Sequence, residues 1–105
     1  MSHEFCMREL FGRFLADGDE ANAFRFNEVE TKLALHALVI FDFEGVTNMT
    51  SSFANALFGG LAEDHYCDLV DRVRFKNCSP LIRSFLACAL SLGIQRGKQL
   101  ARPKK

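Results

Sequence analysis

A chain of 105 residues, 49% of them apolar, can bury one hydrophobic core but not two, so it reads as one domain. A formal net charge of zero excludes whole-molecule attraction to nucleic acid or to an anionic membrane, although the first fifty residues hold nine acids against four bases and the rest four against nine. Eleven Phe and no Trp predict a core filled by phenyl rings.

The opening MSHEFCMREL carries no basic stretch ahead of an apolar one. The longest late apolar run, Phe85 to Leu92, is about half a membrane span. Both point to a soluble, cytoplasmic protein, in which Cys6, Cys67, Cys78 and Cys88 stay reduced.

Residues 4–15 do not alternate cleanly and predict extended structure, a hairpin with a bulge at Gly12. Asp17-Gly18-Asp19 is a turn signal with a good helix cap after it. A helix follows from about Glu20 to His36, because Asn22, Phe26, Val29, Leu33 and His36 recur at helical spacing. A competing start lies at Asn27, where Asn27-x-x-Glu30 makes a capping box and leaves Phe24-Arg25-Phe26 extended.

Leu38 to Phe43 is apolar on both faces and predicts a central strand, with Asp42 the exception. The chain turns near Gly45 and a helix opens at Thr50-Ser51-Ser52, with Phe53, Ala54, Leu57, Phe58 and Leu61 on one face. Gly59-Gly60 weakens its last turn by roughly 1 kcal/mol per glycine, and residues 63–68 read as a polar connection. Arg72 to Lys76 alternates as a strand, Val73 and Phe75 inward and three bases outward. Ser79-Pro80 starts the last helix, with Leu81, Ile82, Phe85, Leu86, Ala89 and Leu90 inward and Gly93 placed to end it. Residues 95–105 form a basic tail with no apolar face, read as disordered. Residues 1–94 are then the domain: an α/β layer fold in which the helices cover one sheet face. The other face, with the basic edge of Arg72, Arg74 and Lys76, is left open or covered by another chain.

Arg13 with Asp17-Gly18, the pair Phe24-Arg25, Ser51-Ser52-Phe53 and Phe58-Gly59 are recognisable motifs. Together with LVIFDFEGVTNMTSSFANALFGGL and VRFKNCSPLIRSFLACALSLG, they resemble STAS-like domains, the fold of anti-sigma factor antagonists. The likeness is closest to a STAS-like family of otherwise unknown function and spans roughly residues 10–94. It implies a small mixed sheet of about four strands with helices mainly on one face. It also implies a regulatory interaction module of bacterial-type signalling, with a kinase-like partner, an ATPase of the histidine-kinase type. In anti-sigma antagonists a serine at the matching helix start is phosphorylated. The matching positions here are Thr50, Ser51, Ser52 and Phe53, without the aspartate that precedes that serine or the glycine that follows the pair.

A strand feeding a helix start aims unpaired N–H groups at whatever lies before it. Ser51, or failing that Ser52, is therefore the candidate phospho-acceptor; the plainer reading is that Thr50 or Ser51 only caps the helix. If the strand ending near Phe14 runs parallel to the one ending near Phe43, Asp17-Gly18 and Thr50-Ser51-Ser52 converge, with Arg13 and Arg25 in reach. The candidate interaction or anion-binding set is then Arg13, Asp17, Gly18, Arg25, Asp42, Thr50, Ser51, Ser52 and Phe53.

Asp42 reads as an acceptor for the loop at 45–47. No second acid stands with it to support two-carboxylate chemistry, and no base is placed to activate a serine, so an enzyme using Arg13, Asp17 and Ser51 is the weakest reading. Cysteine separations of 61, 11 and 10, with no Cys-x-x-Cys, speak against a metal site, and nothing calls for a cofactor. His36 reads as a helix-end residue and Cys88 as core. The basic strand lacks outward aromatics for base stacking, so nucleic acid is not an expected partner. The reading is a non-enzymatic regulatory module acting on a protein partner. Its alternative is an assembly subunit that forms a homodimer through an exposed sheet face, with Ser51 only a cap.

Overall fold

Leu38-Val39-Ile40-Phe41, apolar at every position, forms the central strand β3 (Leu38–Asp42). The computed structural model describes residues 1–101. β1 (Ser2–Cys6) and β5 (Val73–Lys76) pair with β3 from either side, both in parallel. Parallel neighbours need crossovers, and each crossover here carries a long helix and a two-residue strand. These strands, β2 (Phe14–Leu15) and β4 (Asn48–Met49), pair with each other in a second parallel sheet. Among the described residues, five strands in two all-parallel sheets thus replace the expected mixed sheet of about four. Two-residue strands are too short to leave a period-two pattern, which is why the smaller sheet was not legible.

The expected hairpin at 4–15 is absent for the same reason. β1 and β2 belong to different sheets, and α1 (Met7–Phe11) turns between them before Gly12, at φ 86°, releases the chain. The first long helix runs over 18–34 as α2 (Gly18–Phe24), a π-helical turn (Arg25–Val29) and α3 (Glu30–Ala34). It starts at Asp17, and Asn27 lies inside the π-turn, so the capping box goes unused. The second runs over 51–64 as α4 (Ser51–Ala54), a π-helical turn (Asn55–Gly59) and α5 (Gly60–Asp64). It continues past Gly59-Gly60 into the expected polar connection. A short α6 (Leu69–Arg72) takes Arg72 out of the strand before β5.

Register sorts the large sheet into two faces. His3, Val39 and Val73 lie side by side, as do Phe5, Phe41 and Phe75, and this face meets the helices. Phe41 sits edge-on to Phe58 at 5.1 Å and stacks near Phe5 and Phe75 at 5.9 and 5.8 Å. The opposite face carries Glu4, Ile40 and Arg74 in one row and Cys6, Asp42 and Lys76 in the next; Glu4, Arg74 and Lys76 are exposed and Ile40 is half-buried.

α7 (Pro80–Leu100) does not stop at Gly93. Gly93 and Gly97 are contact points, where an added Cβ would run into the carbonyl oxygens of Gly59 and Glu63. With Ile82, Leu86 and Ala89 they make the buried face of α7 against helix 51–64. Residues 95–100 of the expected tail are therefore helix, and residues 102–105 lie outside the described residues.

Candidate functional site

The smaller sheet exists where two helices must start together. Thr47 donates to the Arg13 carbonyl through its N–H at 2.8 Å and its hydroxyl at 3.2 Å. Thr50 N–H donates to the Leu15 carbonyl at 2.9 Å. With Phe14 paired to Asn48 and Leu15 to Met49, each strand leads at once into a helix. The cap of the first helix is Asp17, whose carboxylate accepts from the N–H groups of Asp19 at 2.9 Å and Glu20 at 3.3 Å. The cap of the second is Thr50, whose hydroxyl accepts from Phe53 N–H at 3.1 Å and donates to the Ala16 carbonyl at 2.8 Å. One hydroxyl thus ends a helix and ties the two loops.

The two starts touch. A Cβ on Gly18 would sit 3.3 Å from the Ser52 carbonyl oxygen and 3.4 Å from its Cβ. Asp17-Gly18 and Thr50-Ser51-Ser52 converge as expected, though β2 achieves this by pairing with β4 and not with the strand ending near Phe43. Ser51 and Ser52 are exposed, and neither hydroxyl serves as the cap.

Other members of the expected set go elsewhere. Arg25 is 8% exposed and faces helix 51–64: Nε donates to the Ala56 carbonyl at 3.2 Å, and Nη1 pairs with Asp64 at 3.1 Å. It cannot reach Ser51, because its guanidinium is held between the two π-turns. Glu30 lies 3.6 Å from the same Nη1 and accepts from His65 at 2.8 Å, a partly buried cluster that sequence spacing over 35 positions could not announce. Phe53 is buried, edge-on to Phe11 at 5.2 Å, and anchors the helix start without being presented. Arg13 is exposed and, among the described residues, makes no ion pair. The anion pocket therefore loses one of its two arginines, while Asp17, Asp19 and Glu20 make the neighbouring first turn acidic.

Asp42, at the buried end of β3, accepts from Glu44 N–H at 3.0 Å and the Asn77 side-chain amide at 2.9 Å, not from residues 45–47. The Asn77 hydrogen bond holds its carboxyl below the usual carboxylate value; burial opposes this, and Glu44 N–H and Lys76 add to it. Asp42 belongs to the β3–β5 junction and not to the serine site.

What the sequence did not reveal is the ground beside Ser51. A hollow of about 240 Å³ is lined by Ser51, Leu81, Ser84, Phe85 and Cys88. Leu81 and Cys88 are exposed, which corrects the inward assignment of both, while Phe85 is half-buried and packs against the core with one edge in the hollow. Leu81, Phe85, Cys88 and Leu92 recur at helical spacing as well as Ile82, Leu86, Ala89 and Gly93 do. Periodicity alone does not tell which stripe is covered.

All four cysteines are free thiols, and among the described residues no group of three or more His, Cys, Asp or Glu side chains could hold a metal ion. Among the same residues no helix is long and apolar enough to cross a membrane. Comparison with curated proteins gives no match, and comparison with solved structures gives none either. A family profile does match, over residues 25–83, from the buried arginine through the serine helix start to the first turn of α7. Two parallel crossovers, the paired helix starts and that match lead to one assignment: the chain belongs to the family described as STAS-like domain of unknown function (DUF4325).

Proposed function

We propose that this chain is a non-enzymatic regulatory module that presents its second helix start to a protein partner, with Ser51 as the switch and Ser52 as the substitute acceptor. One observation carries the reading: Thr50 does the capping, so the exposed Ser51 hydroxyl, among the described residues, has no structural duty. A phosphate there adds nearly two negative charges beside the acidic turn of Asp17, Asp19 and Glu20 and at the rim of an apolar hollow. The fold tolerates it at a helix N-terminus, and a partner seated on Leu81 and Phe85 does not. The partner suggested by the resemblance is an ATPase of the histidine-kinase type.

The test begins with intact-mass measurement of the protein from its native host, followed by partner capture with wild type, Ser51→Ala and Ser51→Asp. A switch leaves Ser51→Ala bound and releases Ser51→Asp, with both variants as stable as wild type. Absence of any phosphorylated species in the partner's presence, together with equal capture by both variants, overturns it. A second reading, assembly through the open sheet face, is favoured by half-buried Leu38 and Ile40 on the uncovered side of an all-parallel sheet. A concentration-dependent dimer abolished by Ile40→Lys supports that reading, and a monomer at all concentrations removes it.

A further inference from the structure

β5 is an edge strand, and the groove beneath its edge is open. Phe43 N–H donates to the Lys76 carbonyl at 3.0 Å, so Lys76, and Arg74 two residues before it, turn their backbone groups toward β3. Val73 and Phe75 turn theirs outward. Those of Val73 are occupied: its N–H donates to the Leu69 carbonyl, and its carbonyl accepts from Arg74 Nη1 at 3.0 Å. Arg74 Nη1 also donates to the Val70 carbonyl. Among the described residues, the outward N–H and C=O of Phe75 have no strand beside them, because the sheet ends there.

Between β5 and α7 runs a hollow of about 530 Å³, walled by Leu69, Val73, Arg74, Phe75, Leu90 and Ile94. A second, of about 310 Å³, shares Phe75 and Leu90 with it and continues past Asn77 to Arg83. Val70, at its mouth, is 80% exposed. An extended segment laid beside β5 would satisfy Phe75 and drop every second side chain into this groove. The side chains between them would stand on the other face, beside Lys76 and next to the Arg74 guanidinium, which folds back over the strand edge onto the Val70 and Val73 carbonyls. Lys76 already holds Glu4 at 3.0 Å, whereas Arg74, among the described residues, has only backbone carbonyls for partners. A second copy of β5 fits poorly, since a twofold centred on Phe75 sets Arg74 opposite Lys76 of the other copy, like charge against like.

We propose that the β5 edge and the groove under it dock an extended segment of a partner protein in which apolar residues alternate with acidic ones, added as a fourth strand to the sheet. The site lies on the flank of α7 that carries Arg83, Leu90 and Ile94, while Leu81, Ser84, Phe85 and Cys88 face Ser51. The two sites therefore stand or fall separately.

The test uses the full chain and a fluorescein-labelled peptide of alternating valine and glutamate, read by anisotropy and by hydrogen exchange at the Phe75 amide. Saturable binding is expected, with the Phe75 amide protected, about tenfold weaker for Arg74→Glu and intermediate for Arg74→Gln. A peptide of alternating valine and lysine, or one N-methylated on its bonding edge, should not bind. Circular dichroism of each variant checks that the fold persists. Failure to bind at millimolar peptide, or binding indifferent to Arg74→Glu with Phe75 unprotected, overturns the proposal. Protection of Phe75 by rising protein concentration alone would give the edge to a second copy and equally overturn it.

Discussion

The guanidinium of Arg25 fills the space that a side chain on Gly60 would need: a Cβ there would lie 2.6 Å from Arg25 Nε and 2.7 Å from Cζ. The arginine and the glycine belong to different long helices, and each explains the other. Arg25 crosses from one π-turn to the Ala56 carbonyl of the other, and the missing side chain at Gly60 lets it lie flat.

Gly60→Ala should therefore lower stability although alanine is the better helix former by about 1 kcal/mol. Displacing a buried, hydrogen-bonded guanidinium costs more, so a net loss of about 2 kcal/mol is expected in urea unfolding. In the double mutant with Arg25→Ala the two losses should add to less than their sum, because the second change removes what the first disturbs. Full additivity would break the link.

Gly93→Ala tests the other close approach. The new methyl would meet the Gly59 carbonyl and lie 2.8 Å from the Ala62 Cβ, on a backbone that cannot swing aside. The expected loss is about 2–3 kcal/mol. Ser91→Ala, on the exposed side of the same helix, should be neutral.

The helix starts separate by residue. Thr50→Ala removes both the cap to Phe53 N–H and the tie to the Ala16 carbonyl, and should cost about 1–2 kcal/mol in urea unfolding. Ser51→Ala should stay within about 0.5 kcal/mol of wild type. A reversed order would mean that Ser51 holds the structure and is not free to act as a switch.

Asp42 makes the stability pH-dependent in one direction. Its folded value lies below its unfolded one, so its contribution is present above about pH 3.9 and fades as pH falls through the folded value. Asn77 sits at φ 58°, which glycine adopts freely, so Asn77→Gly removes the amide donor without straining the backbone. The variant should be less stable by about 1 kcal/mol at neutral pH, and the difference should shrink as pH falls through the folded value, followed by urea unfolding across the acid range.

The apolar run at 38–41, the Ser79 cap and the serine-bearing helix start were legible because each is written within a few neighbouring residues, whereas the first long helix starts two residues before the expected Glu20, on Asp17 of the expected turn. A buried strand needs a continuous apolar stretch, and a cap needs one oxygen at one place. So the sequence alone determined the alternation of strands and helices, the family and the helix start at residue 51. Tertiary structure decided what lies far apart in the chain: β2 with β4, Arg25 under Gly60, and which stripe of α7 meets helix 51–64. Gly93 shows the reason. Its lack of a side chain reads locally as a helix end, yet its use is set by a carbonyl more than thirty positions away, and only packing brings the two together.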